Sequence, residues 1–496
     1  MPVGFTSAAK NLFLLGSSGA QTVTNFFKAI APSGSDSVFV PDEIKYNYAD
    51  EKYVLAGSAV DNTSDGVGWF EKRDDTGALD WDVRLEANTG TLTLRAMELD
   101  SSNNLVVCGF ADGLPWIAKY NNSGVIQWKK TSNTGNVRYL GVTSDSNGDY
   151  YACGRTSLTG DAESVVEKYN SDGTPAWGKT MRLIGRDILL TSIQSNSQGY
   201  VICTGEIDDL TGVKTYIVKI DSSDGSILWD RTIESHEESA TLGHVSVYAQ
   251  DVFIDDNNEF FVVGRLSDAN SERGFIVKYT AEGNMLWQRE TPVGEKVEYY
   301  NVKSLADTGQ TVVFGRYTNS SNEVLGILVK YSRSGDVVWR RTLKSSNSSS
   351  AQFGGFCLDF TPTFYYLLFF DEEVYTGTGE PDRYTYGKVS SSGNGLGDFQ
   401  YNDGSGQTID YEIVNFDNVI GKLFDGSVRQ DVSDFITYPF SANKLLFDDL
   451  ATQVTNKKTQ MDESGFYEVG SNRNAVAPTS FAVLNLTHES YSGSGP

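Results

Sequence analysis

Histidine, cysteine and proline are scarce in this sequence, at three, four and eleven of 496 residues. The histidines, His236, His244 and His488, have no partner at helical or hairpin spacing that would make a metal site, and no Gly-x-Ser-x-Gly elbow is present. Four cysteines are too few to staple a chain of this length. Long apolar runs are also missing: no window approaches the ~18 residues of a membrane helix, so no membrane insertion is expected. The apolar run Asn11–Leu15 is shorter than the ~7–15 residues of a signal-peptide core, and only Lys10 precedes it as a base, so a secretory signal is not expected. Positive charge is in deficit, with 40 Lys and Arg against 65 Asp and Glu and a net charge of -25. Phosphate backbones and anionic lipids are repelled by that balance, and no nucleic acid partner is expected.

What is plentiful is glycine (49), tyrosine (26) and phenylalanine (26), which favours pleated strands and tight turns. Sliding the chain over itself exposes a repeat. Six segments carry an apolar-Lys-Tyr-like triplet, then a glycine, then a tryptophan always four residues later: Gly77 and Trp81, Gly124 and Trp128, Gly173 and Trp177, Gly225 and Trp229, Gly283 and Trp287, Gly335 and Trp339. Successive tryptophans are 47, 49, 52, 58 and 52 residues apart, the length of one four-stranded propeller blade. Upstream of each lies an apolar strand ending in glycine: Gly57, Gly109, Gly154, Gly205, Gly264 and Gly315. A degenerate seventh unit follows, with Phe364–Phe370 as its apolar strand, Lys388-Val389 at the usual spacing to Gly393, and Gly397 in the tryptophan's place.

The third unit shows the internal order. Leu140–Ser144, Tyr150–Cys153, Ser164–Tyr169 and Thr174–Thr180 read as strands a to d, with Asn, Asp and Gly turns between a and b and between c and d. Strand b is nearly continuous in apolar residues and should be buried on both faces. The tryptophan of strand d should pack in the gap between adjacent blades, where an aromatic buries ~150–250 Å². Cys108 and Cys153 then occupy equivalent points of neighbouring sheets ~10 Å apart, beyond the ~7 Å limit of a disulfide, and read as core residues.

The expected fold is all-β: a seven-bladed β-propeller of four-stranded antiparallel blades over residues 37–404, preceded by an N-terminal docking arm (1–36) and followed by a β-rich extension (405–496). Either Ser37–Val40 or Asp410–Phe416 is expected to close the ring. The arm is apolar at Phe5, Leu12, Phe13, Leu14, Leu15, Phe26, Phe27 and Ile30, with a possible short helix after Gly19, and should dock on its own propeller or on another subunit. In the extension, Tyr411–Phe416, Phe435–Phe440 and Phe481–Leu486 are strand candidates and Leu445–Thr459 a possible helix.

The repeat phrase resembles that of seven-bladed β-propeller proteins of bacteria, a likeness that covers three quarters of the chain and implies fold and not activity. The arm is similar to the N-terminal stretch of virion structural proteins of tailed phages that infect marine cyanobacteria. That likeness implies a non-enzymatic structural component of a virion, in a tail, baseplate or other appendage, with other virion proteins or copies of itself as partners. The alternative is a secreted or surface propeller binding a host glycan or protein through one rim.

Chemistry was sought in four further patterns. Gly-x-x-x-Trp also occurs in quinoprotein dehydrogenases, but the adjacent cysteine pair often found beside their quinone is absent, and no cofactor is expected. The loops Asp145–Asp149 and Asp255–Glu259 alternate oxygen ligands as a calcium turn would, yet no bidentate Glu follows, and an ordinary Asx turn accounts for both. Acid pairs such as Asp208-Asp209, Glu237-Glu238 and Glu372-Glu373 are common by chance in so acidic a chain. A hydrolase or lyase on this scaffold would need convergent carboxylates in the central channel.

Overall fold

The structure is a computed structural model. It describes residues 26–30, 37–60, 66–74, 78–85, 87, 91–111, 113–131, 137–156, 162–182, 187–209, 212–234, 246–267, 272–291, 296–305, 308–345, 353–361, 364–371, 384–390, 399–402, 408–415, 427–429, 436–439, 458–461 and 467–470.

A first strand, β1 (Phe26–Ile30), precedes six sheets built from four consecutive strands each. These are β2 (Ser37–Asn47), β3 (Lys52–Val60), β4 (Gly66–Arg73) and β5 (Leu79–Leu85); then β6 (Leu92–Leu99), β7 (Leu105–Ala111), β8 (Leu114–Tyr120) and β9 (Ile126–Thr131). The third holds β10 (Val137–Ser144), β11 (Tyr150–Thr156), β12 (Ser164–Tyr169) and β13 (Pro175–Arg182). The fourth holds β14 (Asp187–Ser195), β15 (Tyr200–Asp209), β16 (Gly212–Asp221) and β17 (Ile227–Glu234). The fifth and sixth hold β18 (Ser246–Ile254), β19 (Phe260–Ser267), β20 (Glu272–Tyr279) and β21 (Met285–Glu290), and β22 (Lys296–Leu305), β23 (Gln310–Thr318), β24 (Val324–Tyr331) and β25 (Val337–Ser345). All of these pairings are antiparallel, as the short hairpin connections require.

The next sheet is composite. β26 (Phe353–Phe360), β27 (Phe364–Asp371) and β28 (Tyr384–Ser390) are consecutive, and β1 pairs antiparallel with β28, Phe26 opposite Lys388 and Ile30 opposite Tyr384. The innermost strands touch in turn, β2 on β6, β6 on β10, β10 on β14, β14 on β18, β18 on β22, β22 on β26, and β26 back on β2. The apolar core is accordingly divided into layers, each lying between two successive sheets. This is an all-β propeller of four-stranded antiparallel blades.

Three expectations are corrected. The count of seven like units becomes six complete blades plus the composite sheet, because the stretch after β28 does not supply a fourth strand to it: β29 (Phe399–Asn402) pairs instead with β30 (Thr408–Asn415). Neither expected closing strand closes the ring. Ser37–Val40 opens β2, the innermost strand of the first blade, and residues 410–415 lie in β30, which extends the sixth blade by pairing with β25. The closing segment is Phe26–Ile30, placing Phe26, Phe27 and Ile30 of the arm on a strand; Phe5, Leu12, Phe13, Leu14 and Leu15 lie outside the described residues. Of the extension, β31 (Ser427–Arg429) pairs with β17 and β32 (Ile436–Pro439) with β13, while Thr459, at the end of the expected helix, falls in β33 (Lys458–Met461), which pairs with β34 (Tyr467–Gly470). Phe481–Leu486 lies outside the described residues.

Both landmarks of the repeat have steric causes. Each strand a carries a β-bulge opposite the end of strand b, for instance between Tyr139 and Gly141, and the bulge pushes a carbonyl toward the neighbouring backbone. A Cβ on Gly154 would stand 1.9 Å from the Arg138 oxygen, and Gly109, Gly205, Gly264 and Gly315 meet the same obstruction at 1.7–1.9 Å. The second landmark joins blades. Trp128 of β9 lays its ring on the turn glycine of the next blade, Gly173, which has φ +80° and no side chain to obstruct it, and donates its indole N–H to Ser171 O at 3.1 Å. Trp81 does the same to Gly124 and Asn122 O (3.1 Å), Trp177 to Gly225 and Ser222 O (3.1 Å), and Trp287 to Gly335 and Arg333 O (3.0 Å). Trp229 lies against Gly283 and stacks on Phe260 at 5.8 Å without an N–H partner, and Trp339 meets Tyr365 edge-on at 6.0 Å; Gly77 lies outside the described residues.

The lysine of the repeat triplet is a third joint. Lys168 reaches Asp149 at 3.0 Å and Ser222 O of the next blade at 3.2 Å while lying over the Tyr151 ring. Lys119 pairs with Asp100 (3.3 Å), Lys278 with Glu259 (2.5 Å), and Lys72 with Asp50 and Asn122. Its stem packs as an apolar chain and its charge ties turn to turn.

Candidate functional site: the axial channel

The innermost strands enclose a cavity of about 150 Å³ whose wall is polar and charged. The bulges supply part of that wall, since an extra residue re-aims its side chain. Asp42, Arg95, Leu140, Thr191 and Gln250 are the residues skipped in the register of their strands, and all five line the cavity. Glu43, Glu98, Asp251, Lys45 and Lys303 complete its charged lining.

These groups knit neighbouring blades. Lys45 of the first blade reaches Glu98 of the second at 3.0 Å and Glu43 at 3.7 Å. Asp251 of the fifth accepts from Ser192 Oγ of the fourth at 2.9 Å and from the Val302 N–H of the sixth at 3.1 Å. Asn301 passes the chain of contacts to the composite sheet through the Leu358 N–H (2.9 Å), and Asp359 returns it to the first blade by accepting from the Tyr46 N–H (2.6 Å). Asp42 accepts from Ser58 at 3.3 Å and faces Arg95 at 3.9 Å.

Taking carboxylates out of water favours their neutral form. Burial pushes Asp42 up to about 7 against the opposing pull of Arg95, and Glu43 up to about 7 against Lys45 and Lys303. Burial also raises Asp359, with Lys45 and Lys303 opposing. Burial alone would lower Lys45, but Glu43 and Glu98 outweigh it and hold its ammonium protonated.

Of the residues singled out from the sequence, the tryptophans and turn glycines lie at the blade joints and not in this channel. The two acidic loops are capped turns: Asp145 accepts the Asn147 and Asp149 N–H groups at 2.9 and 3.0 Å, and Asp255 those of Asn257 and Glu259 at 2.9 Å each. All four cysteines are buried free thiols. His236, His244, His488, Glu237-Glu238 and Glu372-Glu373 lie outside the described residues. The channel groups were missed, though a signal existed: aligning the units on their strand-b glycines places Asp42, Arg95, Leu140, Thr191, Gln250 and Tyr300 fourteen or fifteen residues upstream.

The PQQ_2 family model, described as outer membrane protein assembly factor BamB, matches residues 161–357, a stretch that takes in β12 to β25. No curated protein matches the chain in sequence. Among solved structures, the catalytically inactive virginiamycin B lyase of Staphylococcus aureus with quinupristin is similar at 12% identity and TM-score 0.45, over 74% of this chain and 100% of the lyase. The polysaccharide lyase Uly1 is similar at 9% identity and TM-score 0.49, over 74% of this chain and 100% of its own. A chain of the complex of Drosophila Plexin A with Semaphorin 1b is similar at 9% identity and TM-score 0.40, over 78% of this chain and 92% of its own. None of these likenesses bears on what this chain binds or does.

Proposed function

We propose that this chain is a non-enzymatic interaction scaffold, a structural component of a phage virion, with the composite sheet counting as the seventh blade of its disc. The observation that carries the scaffold reading is a repeated apolar row on the outermost strands. Leu79, Ile126, Leu228, Leu286 and Val338 each stand one or two residues before a repeat tryptophan, and each is 46–50% exposed. One exposed apolar residue needs no explanation, but an open apolar residue just before the tryptophan in five blades, one place before it in three and two places before it in two, offers a rim to partners. The interlocked joints make the disc stiff, so a contact made at one blade is held in register with the others. The carboxylates Asp251 and Glu98 of the channel fit this reading, because they spend their oxygens on holding blades together. The virion assignment rests on the likeness of residues 1–36 to the N-terminal stretches of tailed-phage proteins, and copies of itself or other virion proteins are the partners it implies. Mass spectrometry of purified particles should detect the protein; particles complete without it would reject the assignment.

A second reading, a secreted or surface propeller that binds carbohydrate or protein, is favoured by the charged wall of the channel. A glycan array with the isolated monomer separates the two, since sugar-specific binding there supports the second.

A further inference from the structure

Three guanidiniums are poorly matched by acids among the described residues, Arg95 on the channel wall and Arg138 and Arg155 on the adjoining blade. Arg138 and Arg155 stand directly opposite one another on β10 and β11, at the end away from the Asp145 turn. The Arg138 guanidinium lies 4.8 Å from the centre of the Phe110 ring, and Arg95, from the neighbouring blade's bulge, lies 5.7 Å from the same ring. Neither Arg138 nor Arg155 makes a salt bridge or hydrogen bond among the described residues, and each keeps a buried Nε–H with no acceptor. Arg95 has Asp42 alone, at 3.9 Å.

By contrast, Arg265 and Arg316 share Glu298 at 2.8 and 2.7 Å, and Arg273 holds Glu290 at 3.0 Å. Gathering three like charges, two of them over one ring, is unfavourable unless something anionic joins them. The nearby carboxyl, Glu206, feels Arg155 and Arg265, yet burial pushes it up to about 7, so at neutral pH it is only a partial counterion. A guanidinium is a planar fork suited to a carboxylate or phosphate, and an aromatic face beneath two of them fixes their planes.

We propose that Arg95 and Arg138, which share the Phe110 ring, together with Arg155 opposite Arg138, form an oxyanion-binding subsite beside the channel, taking a carboxylate or phosphate group of a ligand. The subsite does not depend on whether the protein works in a virion or on a surface.

Calorimetric titration of the full chain at low salt, with inorganic phosphate, glucuronate and neutral glucose, tests it. The expected result is saturable binding of phosphate or glucuronate and none of glucose, and the tighter of the two anions identifies the source of the oxyanion. Arg138→Met and Arg155→Met should each weaken binding roughly 10- to 100-fold, the range for losing a hydrogen bond to a charged group. Lys129→Gln, an exposed change on β9, should leave it unchanged. Arg155→Lys keeps the charge and loses the fork, and should bind more weakly than the native chain and more tightly than Arg155→Met. Circular dichroism reports whether each variant folds; if Arg138→Met does not, the two Arg155 variants decide. Saturation by neither anion, or native affinity in a folded Arg155→Met, overturns the proposal.

Discussion

Substituting Gly154 by alanine tests the steric account of the strand-b landmark. The new Cβ would lie 1.9 Å from the Arg138 oxygen, 2.9 Å from its carbonyl carbon and 3.0 Å from the Tyr139 Cα. All three are backbone atoms, so no side-chain rotation relieves the overlap, and β10 must retreat from β11 by roughly 1 Å. That retreat strains the bulge and loosens Tyr139, which is fully buried against the adjoining sheet. The expected loss is about 3 kcal/mol or more, at the upper end for overpacked interiors, which moves a urea midpoint by about 1 M. Gly148→Ala is the matched control. Its Cβ meets nothing nearer than Ser171 Cβ at 3.8 Å, so its cost is only that of an alanine at φ +81°, about 1 kcal/mol. Equal losses for the two variants, or a loss below about 1 kcal/mol for Gly154→Ala, would refute the argument.

Three further outcomes are expected. Trp287→Phe leaves Arg333 O without its indole donor and should cost about 1 kcal/mol more than Trp229→Phe, whose indole N–H has no acceptor to lose; thermal melts of the two check this. Burial raises the folded Asp42 well above its ordinary value, so the folded state binds the proton more tightly, and the stabilisation from that proton is present at acid pH and lost as pH rises through about 7. Asp42→Asn should remove up to ~3 kcal/mol of that fall between pH 5 and 8, and an unchanged slope in urea titrations would contradict it. Deleting residues 1–36 removes β1 and bares the edge of β28, whereas deleting residues 1–25 keeps it; the longer truncation should melt lower than the shorter and self-associate in ultracentrifugation, and equal melting of the two would contradict this.

The blades were legible in the sequence because their signals are local and repeated. A turn glycine, a tryptophan four residues on and an apolar strand ending in glycine recur wherever the same joint recurs, so the chain states the joint six times. The composite sheet was not legible in that way. Pairing Phe26–Ile30 with β28 spans more than 350 residues, and nothing in a five-residue segment with four apolar side chains says which distant edge it meets. The channel escaped for another reason. The adjacent Asp42 and Glu43, and the lone Glu98 and Asp251, look ordinary in an acid-rich chain, and only the ring geometry brings strands of different blades together around one axis. Arg138 and Arg155 likewise look like ordinary strand residues until the register sets them face to face.

The pairing of β1 with β28 has a consequence for biogenesis. The segment that seals the circle is made some 350 residues before its docking edge emerges. Throughout translation the growing arc is a stack with a bare end at each side, and the fastening strip waits unpaired. Closure is thus a single late event with a high entropic hurdle, and once made it leaves no end blade from which the ring can peel.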